Sequence, residues 1–267
     1  MAFKIFGFAK TPVQLLAANG ITVTSFMTAL TNIPRYMRDL ARYKSLMSKP
    51  DKHVPLTLFP ILSDYDNSSG FASGHYFWQD LIVAQDIFLS KPDSHLDIGS
   101  RIDGLVAHLA SFMKLTVMDI RPLPVQIPNV TFIKGSLLSP DHSLKYSSIS
   151  CLHVLEHIGL GRYSDPINGT GFYDGLSALF SLLSSNGILY ISFPVGIEKI
   201  FFNAHRVLNL RKVLTFIDMH LCPSDLQIKA FIDDSGNLHF SNPYSLTEII
   251  TLSESSSYAC CVLKIQK

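Results

Sequence analysis

The chain has 267 residues, a formal net charge of +1, 47% hydrophobic residues and only 16% Asp, Glu, Lys and Arg. That length suits one large domain with an extension and excludes two full-sized ones, and so few charges require that much of the chain be buried. The near-neutral balance gives no overall field toward nucleic acid or an anionic membrane, so neither is expected as a partner.

In chain order, Lys4 and Lys10 straddle the first apolar run, which leaves no clean core for a secretory leader. Thr11 to Pro34 is broken by Gln14, Asn19, Gly20 and Asn32 and is too polar to span a membrane. Phe26, Leu30, Ile33, Met37, Leu40 and Met47 recur at mostly three- and four-residue steps, which predicts a helix with Pro34 at its start or at a kink. Arg35 to Lys52 holds six basic and two acidic residues, the pattern of a solvated helix face. Residues 50–74 are rich in Pro, Ser, Asp and Gly and read as loop. A second helix places Phe77, Leu81, Ala84 and Phe88 on one core-facing side and stops at Lys91-Pro92, with Tyr76 and Gln79 as candidates for a lid. The period then changes, so the expected division is a helical extension and lid over 1–92 and a second domain over 93–267.

From residue 93 onward short apolar strands alternate with amphipathic helices, the pattern of an α/β fold whose parallel sheet is covered on both faces. Strands are predicted at His95–Gly99, Leu115–Ile120, Val130–Ile133, Ser147–Val154, Ile188–Phe193, Leu226–Ile232 and Cys260–Ile265. Helices are predicted at Leu105–Met113, Phe172–Leu183 and Val207–Met219, with Asn186-Gly187 as the stop after the second. The sum is a three-layer αβα Rossmann-like domain. The cysteines, Cys151, Cys222, Cys260 and Cys261, contain no CxxC pair and read as a reducing, cytoplasmic setting.

In such sheets the ligand sits beyond the carboxyl ends of the strands, over the turn after the first one. Here that turn is Asp97-Ile-Gly99-Ser100-Arg101-Ile-Asp103-Gly104. Gly99 allows close approach of backbone to a ligand, and Asp119, closing the second strand before Ile120, can accept both hydroxyls of a ribose. A dinucleotide fingerprint is missing because Arg101 and Ile102 stand where glycine is needed. Gly99 and Gly104 have the spacing of a phosphate-binding loop, yet Leu105-Val106 replaces its Lys and Ser/Thr. A nucleoside without a pyrophosphate remains.

On these residues the segment from about 93 to 267 resembles the class I S-adenosyl-L-methionine-dependent methyltransferases. Asp97 and Gly99 match that family's first-strand motif and Asp119 its ribose-binding acid; Leu152 to Ile158 and Asn186 to Pro194 are similar to its fourth- and fifth-strand stretches. The wording of Asp97-Ile-Gly-Ser-Arg, Leu152 to Arg162 and Phe202-Asn-Ala-His-Arg206 is similar to an uncharacterised methyltransferase-like family. The resemblance implies S-adenosyl-L-methionine as cofactor, held by Asp97, Gly99, Ser100, Arg101, Asp119, Ile120, Ser136, Leu137 and His153. The acid common after the third strand is absent, which leaves Ser136 or backbone groups to meet the base.

His153-Val-Leu-Glu156-His157 has the H-x-x-E-H spacing of one zinc-peptidase class, but that chemistry needs a helix, and a strand precedes the motif while Gly159 and Gly161 follow it. Some methyltransferases carry Glu-x-x-Glu-His at the equivalent place and bind a divalent ion; by that similarity His153, Glu156, His157 and His205 are an alternative ligand set, and no metal is assigned. The metal-free reading makes His157 the base that takes the acceptor's proton, Glu156 its orienting partner and His205 the reserve. Arg101, Arg162 and Arg206 are candidates for holding an anionic acceptor. The expected activity is O-methylation of a small molecule or glycan; the competing reading is a catalytically silent binding module with the same fold. The oligomeric state is not readable from the sequence.

Overall fold

The computed structural model describes residues 23–47, 54–62, 65–66, 70, 72–240 and 245–267. The N-terminal stretch through residue 22, and with it the leader reading, lies outside them. The chain divides into two units, 1–71 and 72–267.

In the first unit, α1 (Val23–Leu46) continues past Pro34, which is therefore internal to the helix and not its start. Asn32 Nδ2 donates to the Leu62 carbonyl at 2.9 Å, and the Arg35 guanidinium lies over the Tyr65 ring at 4.3 Å. Among the described residues no helix is long and apolar enough to cross a membrane.

The second unit begins before the expected boundary, because α2 (His75–Ser90) packs on the sheet. Its buried side is Gln79, Asp80, Ile82, Val83, Ala84 and Ile87, whereas Phe77 and Phe88 are exposed, a correction to the predicted core face. The helix is apolar nearly all round, so periodicity alone did not fix which stripe turns inward.

The strands are β1 (His95–Ile98), β2 (Leu115–Asp119), β3 (Val130–Lys134), β4 (Tyr146–Leu152), β5 (Leu183–Val195), β6 (Lys199–Phe201), β7 (His205–Val207), β8 (Asp225–Ile232), β9 (Leu238–His239) and β10 (Ala259–Gln266). Eight form one sheet in the order β3-β2-β1-β4-β5-β10-β8-β9, while β6 and β7 make a separate hairpin. Strands β3, β2, β1, β4 and β5 are parallel, and β10 inserts antiparallel between β5 and β8. The strand order reverses between β1 and β4.

One face of the sheet is covered by α4 (Gly171–Leu182), α5 (Leu210–Phe216) and α6 (Leu246–Ser255), the other by α2 and α3 (Ala107–Ala110). The first core gathers Leu96, Ile149, Leu176, Leu179, Ile191 and Phe193; the second gathers Val83, Ile87, Leu109, Val117, Tyr190 and Val262. Buried side chains thus lie on both faces of β1, β5 and β10, as a sheet sandwiched between helices requires.

Several predicted boundaries shift. The helix expected at Leu105–Met113 is a π-type turn, Ile102–Val106, continued by α3. Asn186-Gly187 does not stop a helix: α4 has already ended at Leu182, and Asn186, at φ 60°, sits within β5 beside a register shift against β4. The helix expected from Val207 begins only at Leu210, capped by Asn209, whose side chain accepts from the Lys212 amide. β6, β7 and α6 were not anticipated, and α6 opens with a reciprocal capping box between Ser245 and Glu248.

Candidate functional site

The carboxyl ends of β1, β2 and β4 open onto a cleft holding about 670 Å³ of empty space, solvent at its mouth included. Its floor is Gly99, held at φ +67° by the turn after β1; a Cβ there would sit 3.0 Å from both Val154 methyls. Only glycine meets that backbone and that contact together. The walls place Asp119, Ile120, Ser136, Leu137, His153 and His157 around one space, with apolar surface from Ile98 and Met118.

A second cleft adjoins it and shares Gly99, Arg121, His153, His157 and Tyr163. Glu156, His205 and Arg101 line this second space, together with Tyr76, Arg162 and Tyr258. Two predicted contacts, Asp97 and Ser100, line neither cleft. Asp97 is buried at the end of β1, where its Oδ1 accepts from Ser100 Oγ at 2.7 Å and from Ser150 Oγ at 2.5 Å. Burial pushes its pKa up to about 6 against these hydrogen bonds. Asp97 and Ser100 therefore fix the β1 turn and leave the cleft wall to Gly99.

Asp119 is itself engaged. Arg121 donates to both of its oxygens, Nε to Oδ1 at 3.0 Å and Nη2 to Oδ2 at 2.6 Å, and the Arg121 amide reaches Oδ1 at 2.8 Å. Half of the Arg121 side chain is in solvent. The Asp119 carboxylate is the more buried partner, at 15% exposure, so the pair is held from the protein side and open on the Arg121 side.

The β4 turn carries the imidazoles. His153 has φ +54°, left-handed backbone that is costly for a bulky side chain and concentrates at functional sites. Its amide is pinned by the Ser192 carbonyl and hydroxyl oxygens, and Ser192 Oγ donates to Gln79 Oε1. Gln79 is thus a buried strut, which corrects its reading as a lid residue; Tyr76 does face the second cleft. His153 Nδ1 lies 2.7 Å from Glu156 Oε1, and the same oxygen is 3.7 Å from His157 Nε2. His157 Nδ1 donates to the Ala204 carbonyl at 2.5 Å, a bond that fixes the proton on Nδ1 and leaves Nε2 with its lone pair. Burial lowers the His157 pKa, more than the neighbouring Glu156 raises it. His205, at the start of β7, stands with its ring centre 6.5 Å from that of His157.

Arg206 is not an acceptor-binding residue. It is buried and donates from Nη1 to the carbonyls of Ile158 (2.6 Å) and Glu156 (3.3 Å) and from Nη2 to that of Asn168 (3.2 Å). The loop after His157 bends through left-handed Gly159 and Gly161, which strands those carbonyls, and the guanidinium satisfies them. Arg162 has no carboxylate within ion-pair distance among the described residues. Arg121, Tyr163 and Tyr258 are cleft residues that sequence reasoning missed. Arg121 follows Asp119 by two positions and was findable; Tyr258 arrives from the loop before β10 and carried no local signal.

A family model described as "Caenorhabditis protein of unknown function, DUF268" matches residues 130–220, a stretch that includes the His153–His157 turn. No curated protein matches the chain. Similar solved structures include the N-methyltransferase NodS from Bradyrhizobium japonicum WM9 in complex with S-adenosyl-L-homocysteine, 13% identical, with TM-score 0.47 over 72% of this chain and 87% of that one. The 1,6-didemethyltoxoflavin-N1-methyltransferase from Burkholderia thailandensis is 15% identical, with TM-score 0.47 over 70% and 78% of the two chains. A SAM-dependent methyltransferase from Archaeoglobus fulgidus is 14% identical, with TM-score 0.47 over 70% and 94%.

Proposed function

We propose that this chain is an S-adenosyl-L-methionine-dependent methyltransferase that acts on a hydroxyl of a small molecule or glycan. The observation that carries the reading is that His157 stands on the wall shared by two adjoining clefts at the strand-order reversal. The first cleft fits an adenosyl group. Met118, Ile120 and Leu137 offer apolar surface to a base, Gly99 gives room for close approach, and Asp119 supplies a carboxylate for ribose hydroxyls. When bound, the cofactor supplies an electrophilic methyl carbon on a sulfonium whose leaving group is neutral.

The protein then has to align the acceptor and remove its proton. Alignment contributes up to about 7–11 kcal/mol in favourable systems, and a placed base adds roughly 10²–10⁴-fold. His157 Nε2 carries the lone pair that takes the hydroxyl proton, and Glu156 beside it stabilises the resulting imidazolium. Arg101, Arg121 and Arg162 all line the second cleft, which favours an acceptor bearing a carboxylate or phosphate. Arg101 and Arg121 are already paired with Asp103 and Asp119, so Arg162 is the guanidinium available to it.

Calorimetric titration with S-adenosylhomocysteine tests the first cleft, and its release in the presence of hydroxylated acids and sugar phosphates tests the second. Asp119→Ala should weaken binding at least tenfold, while His157→Ala should bind normally and turn over 10²–10⁴-fold more slowly. Binding of neither cofactor nor product by folded protein leaves the silent-module reading in its place.

A further inference from the structure

Behind the catalytic turn three elements bring together donors, two of which, His75 and Cys260, the methyl-transfer reading does not use. His75 is the first residue of α2, His153 follows β4, and Cys260 lies near the start of β10. The donor atoms of the three lie within 4.8 Å of one another. We propose that His75, His153 and Cys260 form a zinc site, distinct from the His153, Glu156, His157 and His205 set suggested by the sequence motif.

The His153 ring is set for it. A metal-bound imidazole characteristically donates its other N–H to a carboxylate or carbonyl. His153 Nδ1 is matched with Glu156 Oε1, and its Nε2 is buried with no hydrogen-bond partner among the described residues. The His75 ring stacks on that of Tyr258 at 5.3 Å, which holds it beside the other two donors. The Cys260 thiol donates to the Cys261 carbonyl at 3.9 Å, and binding of a metal would release that proton.

Charge completes the case. Glu156 is 1% exposed, and its Oε2 finds no partner among the described residues. A dication held by one thiolate leaves one positive charge, which the Glu156 carboxylate balances from the second shell. Two nitrogens and a sulfur are a zinc-type donor set, with a fourth position open to water. The His75 and His153 rings stack at 5.2 Å with only 6° between their planes. Because a bound ion must lie near both ring planes, one imidazole turns as the donors close to the ~3.3–3.8 Å separations of a tetrahedral site.

The test uses the full chain, stripped with chelator and titrated with Zn²⁺ and Co²⁺. The expected result is one equivalent of metal, a thiolate-to-cobalt charge-transfer band, loss of that band in Cys260→Ala, and at least tenfold weaker binding in His75→Gln. His142→Gln, at an exposed position that lines neither cleft, should bind as the parent does. No stoichiometric metal on folded protein, a cobalt spectrum without the thiolate band, or unchanged affinity in His75→Gln would overturn the proposal. In that event His153 and Glu156 form a metal-free hydrogen-bonded pair. S-adenosylhomocysteine titration of the same samples reports the methyltransferase reading separately, so either idea can fail alone.

Discussion

At the residue scale, a buried hydrogen-bonded chain runs behind the cleft. His95 Nδ1 meets Ser148 Oγ at 2.8 Å, its Nε2 meets Ser150 Oγ at 3.0 Å, and Ser150 donates to Asp97. Burial holds the His95 pKa down at about 3, against 6.5 for a free side chain. Between those values the unfolded chain binds the extra proton, so this histidine's contribution to stability is lost as pH falls from 6.5 toward 3. Asp97 acts in the opposite sense: its pKa of about 6 lies above the ordinary 3.8, so its contribution is full below 3.8 and lost as pH rises through 6. His95→Gln keeps the second dependence and removes the first, and its urea midpoint should fall less than the parent's between pH 6.5 and 4.5. Parallel profiles would refute that assignment. Asp119 and His157 were legible because a strand end and a short motif announce them; the occupation of Asp119 by Arg121 and the burial of Asp97 were not, because both depend on side chains meeting across the sheet.

At the element scale, α4 shows what periodicity does well. Leu176, Leu179, Phe180 and Leu183 were read as one side, and Leu176 and Leu179 are fully buried against the sheet. Leu176→Ala should cost about 2–5 kcal/mol, read as a lower denaturation midpoint with an unchanged slope. A shift below 1 kcal/mol would mean that the core refills the hole. The same reading failed for α2, where apolar residues on nearly every side hide the inward stripe. It also passed over β6 and β7, three residues each, which are too short to give a period. Yet that hairpin delivers His205 to the second cleft.

At the scale of the whole molecule, the alternation of strands and helices foretold the layers, but it could not place β10. The fold class follows from period, whereas strand order is decided by which edges are left open once the parallel strands have paired. Because residues 72–267 form their own compact unit with both cores, that fragment should fold alone, with native-like near-ultraviolet dichroism and a cooperative melt. A non-cooperative melt of the fragment would show that the first unit is needed. Strand β10 pairs with β5 on one side and β8 on the other. During synthesis, therefore, β5 and β8 both leave the ribosome with a bare apolar edge, including Ile228, Ala230 and Phe231, and neither is covered until residues 259–266 emerge. Nascent chains halted in that interval are the ones to which holding chaperones should cling, and codon choice between β8 and β10 sets how long the exposure lasts.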